Sequence, residues 1–258
     1  MRTNRTIGLS DVQFSELYER VARSVSWDKK KGRPRRLSLR QALKVTLTYF
    51  KNNITQDVLA ELHGVSQPVI SDAIAVMEKA IVQALGEFDR SLEDVTEAAG
   101  NRVVVVDGSL HPCWSWADHP SLWSGKHQRT GHSHQYICDL NGVLLFISDP
   151  VLGSTHDAKA FKELNAEGVF TSQNMIADKG YIGCGVLTPV KNYRNKGLTT
   201  NDEELNTFVN KHRYVIERSI ANFKTWRIMH TDYRRKTSTY ATMFSAVKLL
   251  HFFRMSFL

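Results

Sequence analysis

Three carboxylates stand where a carboxylate needs a reason. Asp107 closes the run "VVVVD", residues 103–107, and Asp178 closes "NMIAD", residues 174–178. Consecutive β-branched residues bounded by polar and glycine signals read as a strand buried on both faces. Each aspartate is therefore expected at the carboxyl end of a strand, where the chain leaves the sheet. Enclosed there without a cation or hydrogen-bond donors, a carboxylate is costly; capping a turn with Gly108, it is not. Strand ends of this kind are also where open α/β sheets place their active sites. The third acid, Glu217, lies in "RYVIERSIANFKTWRI". Helical spacing puts Arg213 four residues before it and Lys224 seven after it on the same face, with Val215, Ile216 and Ile220 around it. It is either a salt-bridged surface glutamate or one that faces a site. Carboxylates from two strand ends and a helix would chelate hard divalent cations such as Mg²⁺, which takes oxygen ligands and substrate phosphates. Two such ions activate a water and stabilise the leaving oxygen in phosphodiester cleavage.

The elements that must position these acids follow from periodicity. "DVQFSELYERVARSV" places Val12, Phe14, Leu17, Val21 and Val25 at helical spacing, and "SLRQALKVTLTYFKN" repeats the pattern behind a Ser38 cap. Residues 55–81 read as a short helix, a turn at His63-Gly64-Val65, and a second helix with Ser66 as N-cap and Pro68 in its first turn. Ala60 and Gly64 are small where the helices would touch, and Leu59, Leu62, Val65, Ile70 and Ile74 would supply the core. This is helix-turn-helix spacing over about residues 55–82, with Gln67, Ser71 and Ile74 as residues of the second helix that would meet DNA. From residue 101 the pattern changes to strands: "VVVVD", then "SHQYICDL" and "GVLLFISD" joined by an Asn141-Gly142 hairpin turn, a helix over "STHDAKAFKELN", the strands "NMIAD" and "GVLTPV", and a long helix over about residues 202–227. The order is close to a ribonuclease-H-like mixed sheet with helices on both sides, preceded by an all-α domain. The expected division is 1–98 for the helical DNA-binding domain and 99–258 for the sheet domain.

Charge supports that layout. The 258 residues carry a formal +8. Residues 29–51 hold Lys29, Lys30, Lys31, Arg33, Arg35, Arg36, Arg40, Lys44 and Lys51 and no acid, and residues 191–258 hold 13 basic against 5 acidic side chains. Residues 101–190 hold 6 basic and 8 acidic. Basic segments flanking a slightly acidic middle suit a polyanion held at the ends and processed in between, although "KKKGRPRR" alone could be a solvated loop. Lys126, His127, Arg129, His132 and His134 gather in "SGKHQRTGHSH", read as a loop and strand edge. Their spacing fits no closed zinc site with Cys113 or Cys138, whereas Lys126 and Arg129 suit phosphate contact. Trp114, Trp116 and Trp123 are expected to pack in the core or as a lid rather than stack on a base. No apolar stretch approaches a membrane span, no signal-peptide centre is visible, and three cysteines without a CxxC pair suit reduced thiols.

Taken together, "VVVVDGS", "SGKHQRTGHSHQYICDLNGVLLFISDPVLGSTHDAKAF", "ADKGYIG", "TPVK" and "RYVIERSIANFKTWRI" resemble the DDE transposases, in particular the Harbinger-like superfamily endonucleases and their bacterial insertion-sequence relatives, over about residues 38–254. The resemblance implies that Asp107, Asp178 and Glu217 are the catalytic metal ligands for two Mg²⁺ ions, with Mn²⁺ as a substitute. It places the family's Tyr-x2-Arg-x3-Glu-x6-Lys signature on Arg213, Glu217 and Lys224. Asn210 stands at the tyrosine position, with Tyr214 close by. "STHDAKAF" is similar to the family's Gly-Ser-x-His-Asp segment, which makes His156 and Asp157 supporting or substrate-contacting residues; the same residues also make a good helix N-terminus. The implied protein binds terminal inverted repeats and target DNA as a homodimer or higher oligomer, in the cytoplasm and at the nucleoid of a bacterium. Two rivals are a transposase-derived DNA-binding protein without catalysis and a two-metal nuclease without transposition.

Overall fold

The computed structural model describes residues 3–28, 34–100, 102–114, 119–165, 167–171, 173–192 and 197–257. In chain order the elements are helices α1 (Asp11–Ser24), α2 (Leu39–Asn52), α3 (Gln56–His63), α4 (Gln67–Ala84) and α5 (Leu92–Ala99), strands β1 (Val104–Pro112), β2 (Trp123–Ser124), β3 (Arg129–Asp139), β4 (Leu144–Ile147) and β5 (Val151–Leu152), helix α6 (Asp157–Leu164), strand β6 (Met175–Ile176), and helices α7 (Thr200–Phe223) and α8 (Tyr240–Met255). They form two compact units, Met1–Asp89 with Lys224–Leu258, and Arg90–Phe223. No helix among the described residues is long and apolar enough to cross a membrane.

The first unit is all helical. Ser10 with Gln13 and Ser38 with Gln41 form capping boxes that fix where α1 and α2 begin. In α1, Phe14, Leu17 and Val21 are buried, while Val12 points to solvent. Helix α4 packs against α1, α2, α3 and α8. Helix α8 buries almost every residue from Met243 to Phe253, as a helix apolar on all sides must. That is why 224–258 groups with the N-terminal helices, contrary to the expected boundary at 98/99: α8 completes their core, and α5 instead lends Val95 and Ala99 to the sheet.

The helix-turn-helix has its expected turn. Gly64 caps α3 in the left-handed conformation, Ser66 precedes α4, and Pro68 sits in its first turn. Two details differ from the sequence reading. Leu62 is 70% exposed and is no core residue. Gly64 has open space where a Cβ would go, so its positive φ, not close helix contact, calls for glycine.

The second unit is a mixed sheet in the order β2-β3-β1-β6. Strand β3 pairs antiparallel with β1 over its length and takes β2, β5 and β4 in turn along its other edge. Strand β6 runs parallel to β1, and Leu187 adds a parallel bridge to Ile176; the expected strand "GVLTPV" is reduced to that bridge. Alternation along β1 sorts the two faces. Val104 and Val106 join Ile137, Phe146, Phe161 and Tyr181 in a core capped by α5 and α6. The face bearing Asp107 is covered by α7, with Phe223 stacked on His111 at 5.9 Å and edge-on to Tyr136 at 5.8 Å.

This α7 face is more polar than the sequence suggested. The strand expected from Ser133 begins at Arg129, so that His132 as well as His134 lies within β3, and His134 is fully buried. Its Nδ1 donates to the Ser148 carbonyl at 2.9 Å, while His111 Nε2 and the Tyr136 hydroxyl are 2.5 Å apart. Burial pushes the His132 imidazole down to about 4. Trp114 and Trp123 are both more exposed than buried, so neither is packed in the core; Trp116 lies outside the described residues.

Candidate active site

Asp107 is not at the end of its strand. Strand β1 continues five residues further, to Pro112, and Asp107 pairs with Tyr136 of β3. Gly108 is a strand residue rather than half of a turn, and its N–H donates to Asp107 Oδ1 at 2.8 Å. What ends near Asp107 is the parallel pairing with β6, whose last partners are Val105 and Ile176. The same offset carried on two residues brings Asp178 opposite Asp107. The two runs "VVVVD" and "NMIAD" thus do deliver their acids to one place, but through register rather than through two chain ends.

The electrostatics agree with that proximity. Burial first, and the neighbouring Asp178 second, push the Asp107 carboxyl up to about 6, against the pull of Arg213, the Gly108 N–H and Lys126. Asp178 caps the 3-10 turn Lys179–Tyr181 by accepting from the Gly180 N–H at 2.7 Å. Burial also pushes the Tyr181 phenol well up, with Asp157, Asp107 and Asp178 adding to it.

Glu217 reaches this place only indirectly. Arg213, one turn earlier on α7, has Nη1 3.4 Å from Asp107 Oδ2 and Nη2 3.3 Å from Glu217 Oε1, and the Glu217 side chain is 62% exposed. Among the described residues no three of His, Cys, Asp and Glu are gathered closely enough to hold a metal ion. The expected triad is thus a pair of aspartates with a glutamate one guanidinium away, because Arg213 stands between Asp107 and Glu217.

Two further groups complete the rim. Lys126 Nζ lies 2.5 Å from Asp157 Oδ2. Burial alone would lower the Lys126 ammonium, but Asp157, then Asp107 and Asp178, hold it above the ordinary lysine range. Asp157 opens α6 and is largely enclosed, whereas His156, its N-cap residue, is exposed and makes no side-chain cap bond. Arg129 is exposed at the start of β3. Lys224 falls just past the end of α7, half-buried, and groups with the helical unit rather than lying on the Glu217 face. Sequence reasoning missed Gln135, buried opposite Gly108 with its Oε1 accepting from the Tyr181 hydroxyl at 2.7 Å; a lone glutamine in a strand carries no signal of such a role.

In the helix-turn-helix, Gln67 and Ser71 are half-buried on α4, and Gln67 Nε2 donates to Gln56 Oε1 at 2.6 Å, which fixes the side chain across the turn. Ile74, also expected to face DNA, is fully buried, one turn after the equally buried Ile70 and on the same face. Arg35 lies over the Trp27 ring at 4.1 Å, with Nε donating to the Trp27 carbonyl at 2.9 Å, and Arg36 is exposed. Together with Ser66, Val69 and Asp72 of the second helix, they line a cavity of about 360 Å³. Arg33 lies outside the described residues.

Comparison with known proteins decides the family. Residues 106–251 match the DDE superfamily endonuclease family, and residues 35–87 match the helix-turn-helix of DDE superfamily endonucleases. The chain belongs to the DDE superfamily of endonucleases. Asp107, Asp178 and Glu217 all fall inside the larger matched span, and α2, α3 and α4 inside the smaller. This DDE-superfamily endonuclease is 30% identical over 224 residues to the putative transposase for insertion sequence element IS112 of Streptomyces albus G, covering 86% of this chain and 83% of that one. It is 24% identical over 253 residues to the probable transposase for insertion sequence element IS702 of Microchaete diplosiphon, covering 90% and 86%. No solved structure matches it.

Proposed function

We infer that this DDE-superfamily endonuclease is the transposase of an insertion sequence, binding the terminal inverted repeats of its element and catalysing metal-dependent phosphodiester cleavage followed by strand transfer into target DNA. The observation that carries the reading is the register of β1 and β6, which sets Asp107 against Asp178 at the end of the parallel pairing. The antiparallel β3 on one side of β1, parallel β6 and Leu187 on the other, and helices on both faces support a ribonuclease-H-like arrangement. The division of labour assigned to residues 1–98 and 99–258 becomes one in which residues 90–223 carry the chemistry and the helix-turn-helix reads the DNA.

The donor set fits hard divalent ions: two carboxylates that repel one another in a partly enclosed place, and a third acid on the adjoining helix. Asp107, Asp178 and Glu217 would hold two Mg²⁺ or Mn²⁺ ions, Glu217 after parting from Arg213. When bound, such ions supply an activated water and a neutralised leaving oxygen. The chain's own residues do the rest. Arg213 and Lys126, beside the acids, would meet phosphate oxygens and Arg129 would extend that contact, while Asp157 holds the Lys126 ammonium and His156 at the N-cap stays open to solvent; Lys224 would meet phosphate from the helical unit. In the helical unit, Arg33, Arg35 and Arg36 would grip phosphates to fix register, and Gln67 and Ser71 would read base edges. A homodimer or larger assembly at the nucleoid would hold two element ends together.

The test is a supercoiled plasmid carrying the element's ends, incubated with the protein and Mg²⁺. Nicking confined to the ends, followed by joined products, is the expected result. Binding without cleavage would make the protein a transposase-derived DNA-binding factor, and cleavage without end preference would make it a general two-metal nuclease.

A further inference from the structure

The glycine at position 108 is explained by a neighbour. On β1 it lies opposite Gln135, and a Cβ there would fall 2.2 Å from Asp157 Oδ1 and 2.7 Å from its Cγ. Any side chain at 108 would take the space in which the Asp157 carboxylate sits. Asp157 therefore reaches the strand one residue from Asp107, but on the opposite face of the sheet, through a gap that only glycine leaves. It brings Lys126 with it, Nζ to Oδ2 at 2.5 Å, an ammonium more than half exposed drawn to a carboxylate that is mostly enclosed.

A third group converges on the same gap. Gln135 is 1% exposed, its Oε1 is held by the Tyr181 hydroxyl, and its Nε2 has no hydrogen-bond partner among the described residues. That nitrogen lies 3.2 Å from the position where a Gly108 Cβ would be, the point Asp157 Oδ1 approaches to 2.2 Å. A buried amide donor left unpaired is costly, and here the spare donor and the carboxylate crowd one spot without being bonded.

We propose that Lys126 is an exchangeable counter-ion: Asp157 holds its ammonium in the absence of DNA, and on binding the ammonium moves to a phosphate of the DNA strand while Gln135 Nε2 takes its place on Asp157. The inference rests on the transposase reading and adds to it a charge handover at the same site. The exchange is balanced because each group that gives up a partner gains one. The ammonium trades carboxylate for phosphate, the carboxylate trades ammonium for amide, and the orphaned amide is satisfied. Asp157 and Gln135 are thus positioning residues, acting on DNA through Lys126.

The experiment measures binding of the full chain to a short duplex in EDTA, so that cleavage does not intervene, over a series of salt concentrations. Lys126→Met should flatten the slope of log affinity against log salt by about 0.9, the loss of one phosphate contact. Asp157→Asn, which removes the competitor for the ammonium, should tighten binding by up to about fivefold, the range of an exposed ion pair, and the gain should vanish in the Lys126→Met background. Gln135→Leu should weaken binding in the wild type but not in Asp157→Asn. Melting curves establish that each variant is folded. Cleavage of the plasmid by the wild type in Mg²⁺ separates this inference from the reading beneath it. A wild type that neither binds duplex DNA nor cuts it removes both. A wild type that does both, beside a folded Lys126→Met with an unchanged slope or an Asp157→Asn that binds more weakly, removes the handover alone.

Discussion

Glu78, buried, and Asp107, half-buried, each have an arginine beside them, one in each unit, and their surroundings differ. Glu78 on α4 is 2% exposed and ion-paired to Arg235, with Tyr49 and Tyr233 close enough to feel both charges. Burial raises its pKa, and Arg235 opposes the rise. One acid meets one base in a closed place. Asp107 is one of four acids, with Asp157, Asp178 and Glu217, that share Lys126 and Arg213, and both Lys126 and Glu217 open to water. A matched, closed pair serves the fold. Acids in excess at an open rim hold a repulsion that a cation relieves, and that is a binding function.

The largest effects should therefore divide by unit. Alanine at Asp107, Asp178 or Glu217 is expected to lower plasmid cleavage on the order of 10³-fold or more, since each removes a group aimed at developing charge, while the urea midpoint does not fall in step. Cleavage at wild-type rate by Glu217→Ala would leave the two aspartates without their third partner. In the helical unit, Arg235→Ala should cost about 3–5 kcal/mol of unfolding free energy by stranding a buried carboxylate, with cleavage per folded molecule retained. Without Arg235 the folded-state pKa of Glu78 rises further above its unfolded value, so the variant should lose stability as pH rises and recover part of it toward pH 5. Equal loss at both pH values in urea titrations would mean that Glu78 is not charged in the fold.

The same contrast explains what could be read in advance. Helices α1 to α4 were legible because their caps are local: Ser10 with Gln13, Ser38 with Gln41, and Gly64 at the turn all lie within a few residues of what they organise. The meeting of Asp107 and Asp178 was legible as two similar runs, but its cause was not, since register between β1 and β6 is a pairing across 71 positions of sequence. Gly108 was misread because a glycine after an aspartate signals a turn locally, whereas its need arises from Asp157 on a helix far along the chain. Of the two roles expected for Ile74 only the core one holds, and Leu62 loses its core role, because helical spacing gives a face and not which neighbour covers it. The position of 224–258 was hidden because α8 is apolar all round and carries no mark of the unit it joins.

A smaller effect concerns ion removal. Asp107 has a folded-state pKa of about 6 against an ordinary value of 3.8, so without a bound cation its contribution is present below about pH 4 and lost as pH rises through 6. In EDTA at pH 8, Asp107→Asn should be more stable than wild type by about 3 kcal/mol, the free energy of a shift this size, and the advantage should fade below pH 5. Mn²⁺ at about 100 times its dissociation constant should add roughly 2.7 kcal/mol to wild type and much less to the variant. Equal metal stabilisation of both proteins would move the ion away from Asp107.

The smallest effects test the helical unit as a DNA-reading surface. Arg36 is exposed, while Arg35 is stacked on Trp27 and bonded to its carbonyl. If both meet phosphates, alanine at either should flatten the salt dependence of duplex binding by about 0.9. Their stabilities should nevertheless differ. Arg36→Ala removes only a solvated charge and should leave the melting temperature unchanged, whereas Arg35→Ala also removes a cation–π contact and should cost about 0.5–1 kcal/mol. A flattened slope with Arg36→Ala and none with Arg35→Ala would make Arg35 a structural strut of the basic segment, a closed partner like Arg235, and leave Arg36 as the phosphate contact between them.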